Sequence, residues 1–278
     1  MSDANLRIGL VQVTSTTRVE DNATLTEGPI REAAARGAQL VSLPEVVNLV
    51  DMRKGRSSQE ARLEEEDPCL ALYRKLAREL GIWIHAGSLV VKLEDDDRMA
   101  NRAFMIDDQG EIRARYDKIH MFDVDLEGGE SYRESKLFRP GDKAVLVDTP
   151  WGKIGLTICY DVRFPHLHRQ LAEAGARILL NPAAFTRKTG KAHWHTLLTA
   201  RAIETTCFVA AAAQCGDHDD GRETFGHSLV VSPWGDQLAD GGTEPGVVIA
   251  DLDLTLIDKT RGMVPSLKNG RPFTLTEV

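Results

Sequence analysis

Three residues of different chemistry end apolar segments of strand length. Glu45 closes LVSLPE, Lys118 closes IRARYDK and Cys159 closes IGLTIC. In sheets with helices on their faces, ligands gather outside the strand ends, so side chains from different strands can meet there. A carboxylate beside a thiol can take its proton, and a cation stabilises both the thiolate and a later oxyanion. The pattern therefore predicts a thiol nucleophile, Cys159, with Glu45 as its base and Lys118 as its electrostatic partner.

Each of these three residues taken alone is a weak signal. A single Cys that ends an apolar strand is most often a small core residue, and a single Glu or Lys there is most often solvated. The other cysteines, Cys69, Cys207 and Cys215, show no C-x-x-C or zinc-ligand spacing, and the histidines form no H-x-x-H pair. We therefore expect no disulfide framework and no metal site.

Strand-length apolar segments alternate with segments of helical spacing along the chain. In the first half this pattern predicts strands over 6–14, 38–44 and 82–91, a helix over 69–80 that Gly81 ends, and a meander from NRAFMIDD to EIRARYDK. A helix is also predicted over 22–36, and Gly28-Pro29 either delays its start or kinks it.

The second half of the chain shows the same alternation of strand-length and helical segments. It predicts hairpins turned at the two PWG segments, helices over 167–174 and 193–206, and strands over 177–184 and 207–216. Strands separated by helices, with some strand pairs joined directly, indicate an α/β fold with mixed sheets. No G-x-G-x-x-G or P-loop motif follows a strand, so a nucleotide-binding interpretation lacks its phosphate cradle.

Net charge and hydropathy argue against nucleic acid and membranes as partners. The 278 residues carry 34 basic and 42 acidic side chains, a net charge of −8, with acidic runs at 64–67 and 94–97 that would repel nucleic acid. The N-terminus lacks the features of a signal peptide, and no apolar run approaches the ~20 residues that span a bilayer. We expect a cytoplasmic protein with no nucleic-acid or membrane partner, folded as a single domain because no linker divides it.

From about residue 6 to 273 the chain resembles the nitrilase superfamily of carbon-nitrogen hydrolases. The Glu-Lys-Cys triad of that family matches Glu45, Lys118 in YDKIHMFDVD and Cys159 in GLTICYDVRFP, and a second family glutamate matches Glu134 in YRES. Without the resemblance, Glu134 would be interpreted as a surface loop carboxylate. The resemblance implies one domain over 1–278 with a short C-terminal tail. It also implies a four-layer α-β-β-α sandwich with two mixed sheets, a homodimer or higher homo-oligomer, and no metal or cofactor.

Finer motifs resemble one branch of the family, the amidases that act on deaminated glutathione. CYDVRFP, AAFTRKTGKAHW, LLTARAIET and AAAQCG carry this likeness, while the sister omega-amidases, which act on 2-oxoglutaramate, typically lack the Gln-Cys-Gly at 214–216. The branch implies hydrolysis of the terminal carboxamide of a 2-oxo acid amide to a carboxylate and ammonia through a thioester. An omega-amidase is the first alternative. A catalytically silent binding or redox-sensing protein, in which Cys159 reports oxidation, is the second.

Neighbours of the nucleophile supply further candidates for the site. The resemblance implies that the backbone N–H of Tyr160 joins Lys118 in holding the oxyanion. Arg163, four residues past Cys159, is predicted either to grip a substrate carboxylate or to form a structural ion pair. Phe185 is predicted either to wall the pocket or to pack in the core. His195 stands where the family commonly has an acidic residue, which leaves the pocket charge open.

Overall fold

Two mixed sheets lie at the centre of the molecule in a computed structural model that describes residues 4–51, 53, 55–126 and 131–277. The strands are β1 (Asn5–Gln12), β2 (Leu40–Ser42), β3 (Trp83–His85), β4 (Leu89–Lys92), β5 (Met99–Ile106), β6 (Ile112–Asp117), β7 (Asp123–Asp125), β8 (Ser131–Arg133), β9 (Val145–Thr149), β10 (Gly152–Leu156), β11 (Ala176–Leu180), β12 (Phe208–Ala211), β13 (Cys215–Asp217), β14 (Glu223–Phe225), β15 (Leu229–Val231), β16 (Gln237–Asp240) and β17 (Gly246–Asp253). The α-helices are α1 (Val19–Ala35), α2 (Arg56–Glu60), α3 (Pro68–Leu80), α4 (Pro165–Glu173), α5 (Arg187–Thr205) and α6 (Thr255–Met263).

Each large sheet has a parallel centre and antiparallel edges. The first sheet has the order β17-β1-β2-β3-β5-β4, with β6 also paired to β5, and the second has the order β16-β15-β12-β11-β10-β9. Strands β1, β2 and β3 are parallel in the first sheet, and β10, β11 and β12 are parallel in the second. The small ribbons β7-β8 and β13-β14 lie outside both sheets. Two mixed sheets, as predicted, are thus confirmed.

The two sheets face each other across an apolar core. The alternation of side chains is clearest in β1, where Leu6, Ile8 and Leu10 belong to the same buried cluster as Leu156 of β10. The other face of the first sheet packs on α1 and α3, and α4 and α5 cover the second sheet from outside. The architecture is the predicted four-layer α-β-β-α sandwich. Among the described residues, no helix is both long enough and apolar enough to cross a membrane.

Capping residues adjacent in sequence set the ends of helices α3 and α5. Helix α3 begins at Pro68 after Asp67, whose carboxylate accepts a hydrogen bond from the Leu70 N–H at 2.9 Å, and Gly81 ends it at φ 64°. Helix α5 begins at Arg187, six residues before the predicted start. The reason is a cap at Thr186, whose hydroxyl accepts from the Thr189 N–H.

Helix α1 begins earlier than predicted. It runs from Val19 to Ala35 with Pro29 inside, so a late start at Pro29 is wrong. A proline in a helix interior costs about 3 kcal/mol because it removes one hydrogen bond and crowds the preceding turn. Burial of Val19 and Ile30 against the first sheet offsets that cost, which is a tertiary effect that local spacing does not reveal.

The segment predicted as one strand over 82–91 is two strands, β3 and β4, because the chain turns at Gly87. This glycine has φ +63°, and a Cβ on it would lie 2.0 Å from the Pro44 carbonyl oxygen and 2.2 Å from that of Leu43. The carbonyl groups of Leu43 and Pro44, immediately before Glu45, therefore pack directly against this turn. The segment predicted over 207–216 divides in the same way, into β12 and β13.

We predict that Gly87→Ala lowers the free energy of unfolding by at least about 2 kcal/mol, since it adds both left-handed strain and a backbone clash. Gly28→Ala is the matched control, because an added Cβ there meets nothing within 4 Å. That change should raise stability by about 0.5–1 kcal/mol. Urea unfolding of both variants tests the pair, and an unchanged midpoint for Gly87→Ala would contradict the packing of this turn.

Candidate active site

Cys159 stands on a sharp turn that follows β10. Its φ is +47°, in the left-handed region that side chains rarely occupy, and its N–H donates to the Pro182 carbonyl at 2.8 Å. Two residues earlier, the N–H and the hydroxyl of Thr157 both donate to the Leu180 carbonyl, at 3.0 and 2.8 Å. The end of β11 therefore fixes the turn that carries the sulfur, and this support accounts for a strained backbone at the nucleophile.

A buried carboxylate, Asp161, joins this turn to the lysine segment. Its Oδ2 accepts hydrogen bonds from the Ile158 N–H at 2.8 Å and from the Tyr116 hydroxyl at 2.6 Å. Its Oδ1 accepts from the His120 N–H at 3.1 Å. Because Tyr116 and His120 flank Lys118 on either side, Asp161 sets the position of the lysine relative to the nucleophile. Local sequence patterns do not reveal this role, because the burial of Asp161 and its distant partners are visible only in the fold.

The loop after β2 presents Glu45. The next residue, Val46, has φ +47° and donates its N–H to the Ser88 hydroxyl at 2.9 Å, while the side-chain amide of Gln214 donates to the Glu45 carbonyl at 3.1 Å. Oε2 of Glu45 accepts a hydrogen bond from the Ala184 N–H at 2.8 Å. The carboxylate is therefore held by both sheets of the sandwich.

Lys118 lies between two buried carboxylates. Its Nζ donates to Glu45 Oε1 at 2.8 Å and to Glu134 Oε1 and Oε2 at 2.9 and 2.8 Å. Nδ2 of Asn101 donates to Glu45 Oε1 at 2.9 Å, and the Phe122 N–H donates to Glu134 Oε2 at 2.6 Å. The side chain of Lys118 is 2% exposed and that of Glu134 is 8% exposed, so Glu134 is not a surface loop carboxylate.

Asn101 is a second residue that the sequence analysis missed. It lies in β5, 1% exposed, and its Oδ1 has no hydrogen-bond partner among the described residues. An Asn inside the apolar strand MANRAFMI is the available signal, because Asn is depleted in strands and buried amides need partners.

The pKa values of the two carboxylates beside Lys118 shift in opposite directions. Burial raises the pKa of Glu45, but the Lys118 ammonium and hydrogen bonds from Lys118, Cys159 and Asn101 outweigh it and hold the pKa below its usual value. Burial keeps the pKa of Glu134 raised, with the Glu45 charge adding to burial and Lys118 opposing both. Burial also opposes the charge of Lys118, yet Glu134 and Glu45 raise its pKa well above the ordinary value. Glu45 is thus ionised and Lys118 is a permanent cation.

The thiol of Cys159 is neutral at rest. Burial raises its pKa well above the ordinary value, the Glu45 charge raises it further, and the Lys118 charge opposes both. A neutral thiol hydrogen-bonded to an ionised carboxylate is a nucleophile that needs a base during attack, in contrast to a preformed thiolate.

These side chains open into a cavity of about 800 Å³, which includes space open to solvent. Phe122, Tyr160 and Phe185 form aromatic parts of its wall, and Asp51 and Arg222 line it as well. Phe185 both lines the cavity and packs on Trp194, with ring centroids 5.0 Å apart, so both predicted roles of this residue are present.

Arg163 is not among the described residues that line the cavity. Its guanidinium lies 5.8 Å from the Tyr160 ring centre and 5.4 Å from that of Phe185, and its Nη2 is 3.3 Å from His193 Nδ1. The carboxylate-binding role of Arg163 stays a prediction. The guanidinium that does line the cavity is that of Arg222, whose Nε donates to Asp220 at 2.9 Å.

His195 and the three remaining cysteines lie outside the cavity lining. His195 Nε2 is 2.9 Å from Asp240 Oδ2, so this histidine does not set the charge of the cavity wall. Cys69, Cys207 and Cys215 are buried and free, in keeping with packed thiols.

Comparison with known proteins identifies the family. The sequence matches the family model described as carbon-nitrogen hydrolase over residues 7–262. The chain belongs to the carbon-nitrogen hydrolase family. This carbon-nitrogen hydrolase is 38% identical over 269 residues to the deaminated glutathione amidase of Yersinia enterocolitica, a match that covers 96% of this chain and 93% of that protein. It is 40% identical over 273 residues to the deaminated glutathione amidase of Homo sapiens, covering 95% and 82%.

Solved structures place the carbon-nitrogen hydrolase in the nitrilase superfamily. The Caenorhabditis elegans NitFhit protein matches with a TM-score of 0.91 and 37% identity, over 98% of this chain and 66% of that one, so the chain spans about two thirds of NitFhit. Saccharomyces cerevisiae Nit3, a member of branch 10 of the nitrilase superfamily, matches with a TM-score of 0.86 and 27% identity, over 95% and 96%. The chain is therefore a hydrolase of non-peptide C–N bonds, an amidase of this superfamily.

We predict that Glu45→Gln slows alkylation of Cys159 by iodoacetamide at least about tenfold at pH 7. Burial keeps the thiol pKa high in the variant, and the base that assists attack is gone. In the variant the rate should rise about tenfold per pH unit, as it does for a free thiol below its pKa, whereas the parent rate should be nearly flat around neutral pH.

Asp51→Asn is the matched control, because it removes a carboxylate from the same cavity wall without touching the thiol. Labelling followed by intact mass gives the rates. Equal rates and equal pH profiles for Glu45→Gln and the parent would show that Glu45 is not the base.

Proposed function

We propose that this amidase hydrolyses a 2-oxo acid amide through a thioester on Cys159, with deaminated glutathione as its substrate. The observation that carries the mechanism is the contact of Glu45 with both Cys159 and Lys118 inside one cavity. The relatives named deaminated glutathione amidase, at 38–41% identity, support the substrate.

In the first step the Cys159 sulfur attacks the amide carbon, and the thiol proton passes to Glu45. The carbonyl electrons move to oxygen, where the Lys118 ammonium and the Tyr160 N–H hold the negative charge. Two of the three Lys118 hydrogen bonds go to one carboxylate, that of Glu134, so one N–H can turn to the substrate oxygen without leaving Glu134 unpaired. Loss of one oxyanion donor costs about 10²–10³ in rate.

In the second step the C–N bond breaks, and Glu45 returns its proton to the leaving nitrogen. A thioester remains on Cys159. Water then attacks its carbonyl carbon, Glu45 takes a proton from that water, and the thiolate leaves and regains a proton. Asn101 lines the cavity, and its Nδ2 donates to Glu45 Oε1 and so helps to hold the base in place. Glu134 touches Lys118 from the far side and positions it.

The leaving group depends on which amide is bound. In deaminated glutathione the cleaved amide joins the 2-oxoglutaryl group to cysteinylglycine, so the leaving amine is the dipeptide and not ammonia. The ammonia expected from a terminal carboxamide applies to 2-oxoglutaramate, the substrate of the omega-amidase alternative. Both substrates give 2-oxoglutarate as the acyl product, which allows one assay to compare them.

The alternative of a catalytically silent redox sensor is wrong, because the family is one of hydrolases. A raised thiol pKa also disfavours a sensor, which needs an accessible thiolate. The homodimer and the cytoplasmic location that were expected from the sequence stay predictions.

A substrate with two carboxylates calls for cations. A charge-assisted hydrogen bond to a carboxylate is worth roughly 1.5–3 kcal/mol, which is about 10- to 150-fold in specificity. Arg163 is the sequence-based candidate, and Arg222 is the guanidinium on the cavity wall. Deaminated glutathione has one carboxylate at its 2-oxo acid end and one on the glycine, so each arginine is a candidate partner for one of them.

We predict that kcat/KM is higher for deaminated glutathione than for 2-oxoglutaramate, and that both greatly exceed any nitrile or uncharged amide. Arg163→Ala and Arg222→Ala should each lower kcat/KM for the charged substrates by about 10- to 150-fold, with a smaller effect on a neutral amide. If Arg222 binds the glycine carboxylate, Arg222→Ala should lower kcat/KM for deaminated glutathione, which carries that group, and leave kcat/KM for 2-oxoglutaramate unchanged.

Release of 2-oxoglutarate measures the hydrolysis rate of the charged substrates, and Cys159→Ala gives the background rate. A nitrile or a carbamoyl amine as best substrate would contradict the proposed substrate class. Equal losses on charged and neutral substrates would contradict the carboxylate role of whichever arginine shows them.

A further inference from the structure

Two histidines and an aspartate meet at one point outside the catalytic cavity lining. His195 on α5 places Nε2 2.9 Å from Asp240 Oδ2, and His227, in the turn between β14 and β15, places Nδ1 2.8 Å from Asp240 Oδ1. The three ligand atoms lie within 4.8 Å of one another. None of the three residues is used in the proposed reaction.

We propose that His195, His227 and Asp240 form a binding site for a divalent transition metal of the zinc class. Imidazole nitrogen and carboxylate oxygen are ligands that Zn²⁺ accepts at about 2.0–2.2 Å. Tetrahedral ligands at that radius stand roughly 3.3 Å apart. The His227 Nδ1–Asp240 Oδ2 separation of 3.1 Å and the His195 contact at 2.9 Å are close to this spacing, and the two imidazole nitrogens lie within 4.8 Å of each other.

Both imidazoles face the same carboxylate. Each lies within hydrogen-bond distance of Asp240 through the nitrogen that would bind the ion. An imidazole that carries its proton on the other ring nitrogen presents a lone pair at this position.

The backbone around the cluster holds these donors in place. His227 has φ +57°, its N–H donates to the Gly242 carbonyl, and its own carbonyl accepts from Trp194 Nε1 at 2.8 Å. Phe225 stacks on the His227 ring, with centroids 4.4 Å apart, and Asp240 Oδ1 accepts the Gly242 N–H at 2.9 Å. Such outer contacts orient ligands and strengthen metal binding.

The site is accessible and keeps room for water. The side chains of His195, His227 and Asp240 are 31%, 24% and 32% exposed. Three protein ligands with solvent access leave a fourth position for water, as in open zinc sites. A bound ion would fasten α5 to the β14–β15 turn, next to the cavity wall, because Trp194 packs on Phe185 and Thr224 of β14 lines the cavity.

The test is titration of chelator-treated protein with Co²⁺ and with Zn²⁺. We expect saturable 1:1 binding at micromolar metal, a rise in Tm, and weak visible cobalt bands without the strong near-ultraviolet charge-transfer band of a cobalt–thiolate site. The absence of that band separates this site from binding at Cys159. His195→Ala and Asp240→Asn should each weaken binding at least about tenfold. Asn at 240 retains an oxygen for the Gly242 N–H, so this variant tests the ligand with the turn kept.

His166→Ala is the matched control, since His166 is an exposed histidine on α4, outside the cluster. It should bind metal like the parent, and the Tm of each metal-free variant shows that it is folded. Absence of saturable binding in the parent, equal binding in parent and both ligand variants, or a cobalt–thiolate spectrum would each overturn the proposal.

Discussion

A single ammonium group between two buried carboxylates is the interaction on which the site depends. Lys118 is 2% exposed and donates to both Glu45 and Glu134. Removing a charge from water costs several kcal/mol, so such a group persists only where opposite charges and hydrogen bonds surround it. The N–H groups of Ala184 and Phe122 and the side-chain amide of Asn101 supply those bonds, and they come from different parts of the sandwich. The four layers must therefore pack in one register for the charges to be satisfied.

The same arrangement creates the chemistry. Lys118 keeps Glu45 ionised despite burial, and burial together with the Glu45 charge keeps the thiol of Cys159 protonated. In the proposed reaction the thiol is therefore activated at the moment of attack, and the cation that stabilises the resting carboxylates is the one that holds the oxyanion. Asp161 extends this coupling, because it links the turn under Cys159 to the residues on both sides of Lys118.

Residue type and strand-end position predicted that Glu45, Lys118 and Cys159 would meet, and all three line one cavity. The alternation of short apolar segments predicted a layered α/β fold. What local patterns could not reveal depends on distant contacts. Burial of its apolar side chains keeps α1 helical on both sides of Pro29. The close contact between Gly87 and two backbone carbonyl groups divides one apolar segment into two strands. The absence of H-x-x-H motifs said nothing about His195, His227 and Asp240, which come from three separate elements. Nor could a strand-end position show that Lys118 compensates two buried carboxylates, so that its replacement is expected to affect the fold as well as the reaction.

A double-mutant cycle on unfolding measures directly whether Lys118 compensates the negative charges of Glu45 and Glu134. The cycle compares Lys118→Met, Glu134→Gln and the double variant by urea unfolding at pH 7. Lys118→Met should lose about 3–5 kcal/mol, because it leaves buried carboxylates without a cation. Adding Glu134→Gln should restore at least about 1.5 kcal/mol of that loss. Lowering the pH should also restore stability to Lys118→Met, since carboxylates with raised folded-state pKa bind protons more tightly in the native state. Additive losses at pH 7, with no recovery at lower pH, would contradict the account.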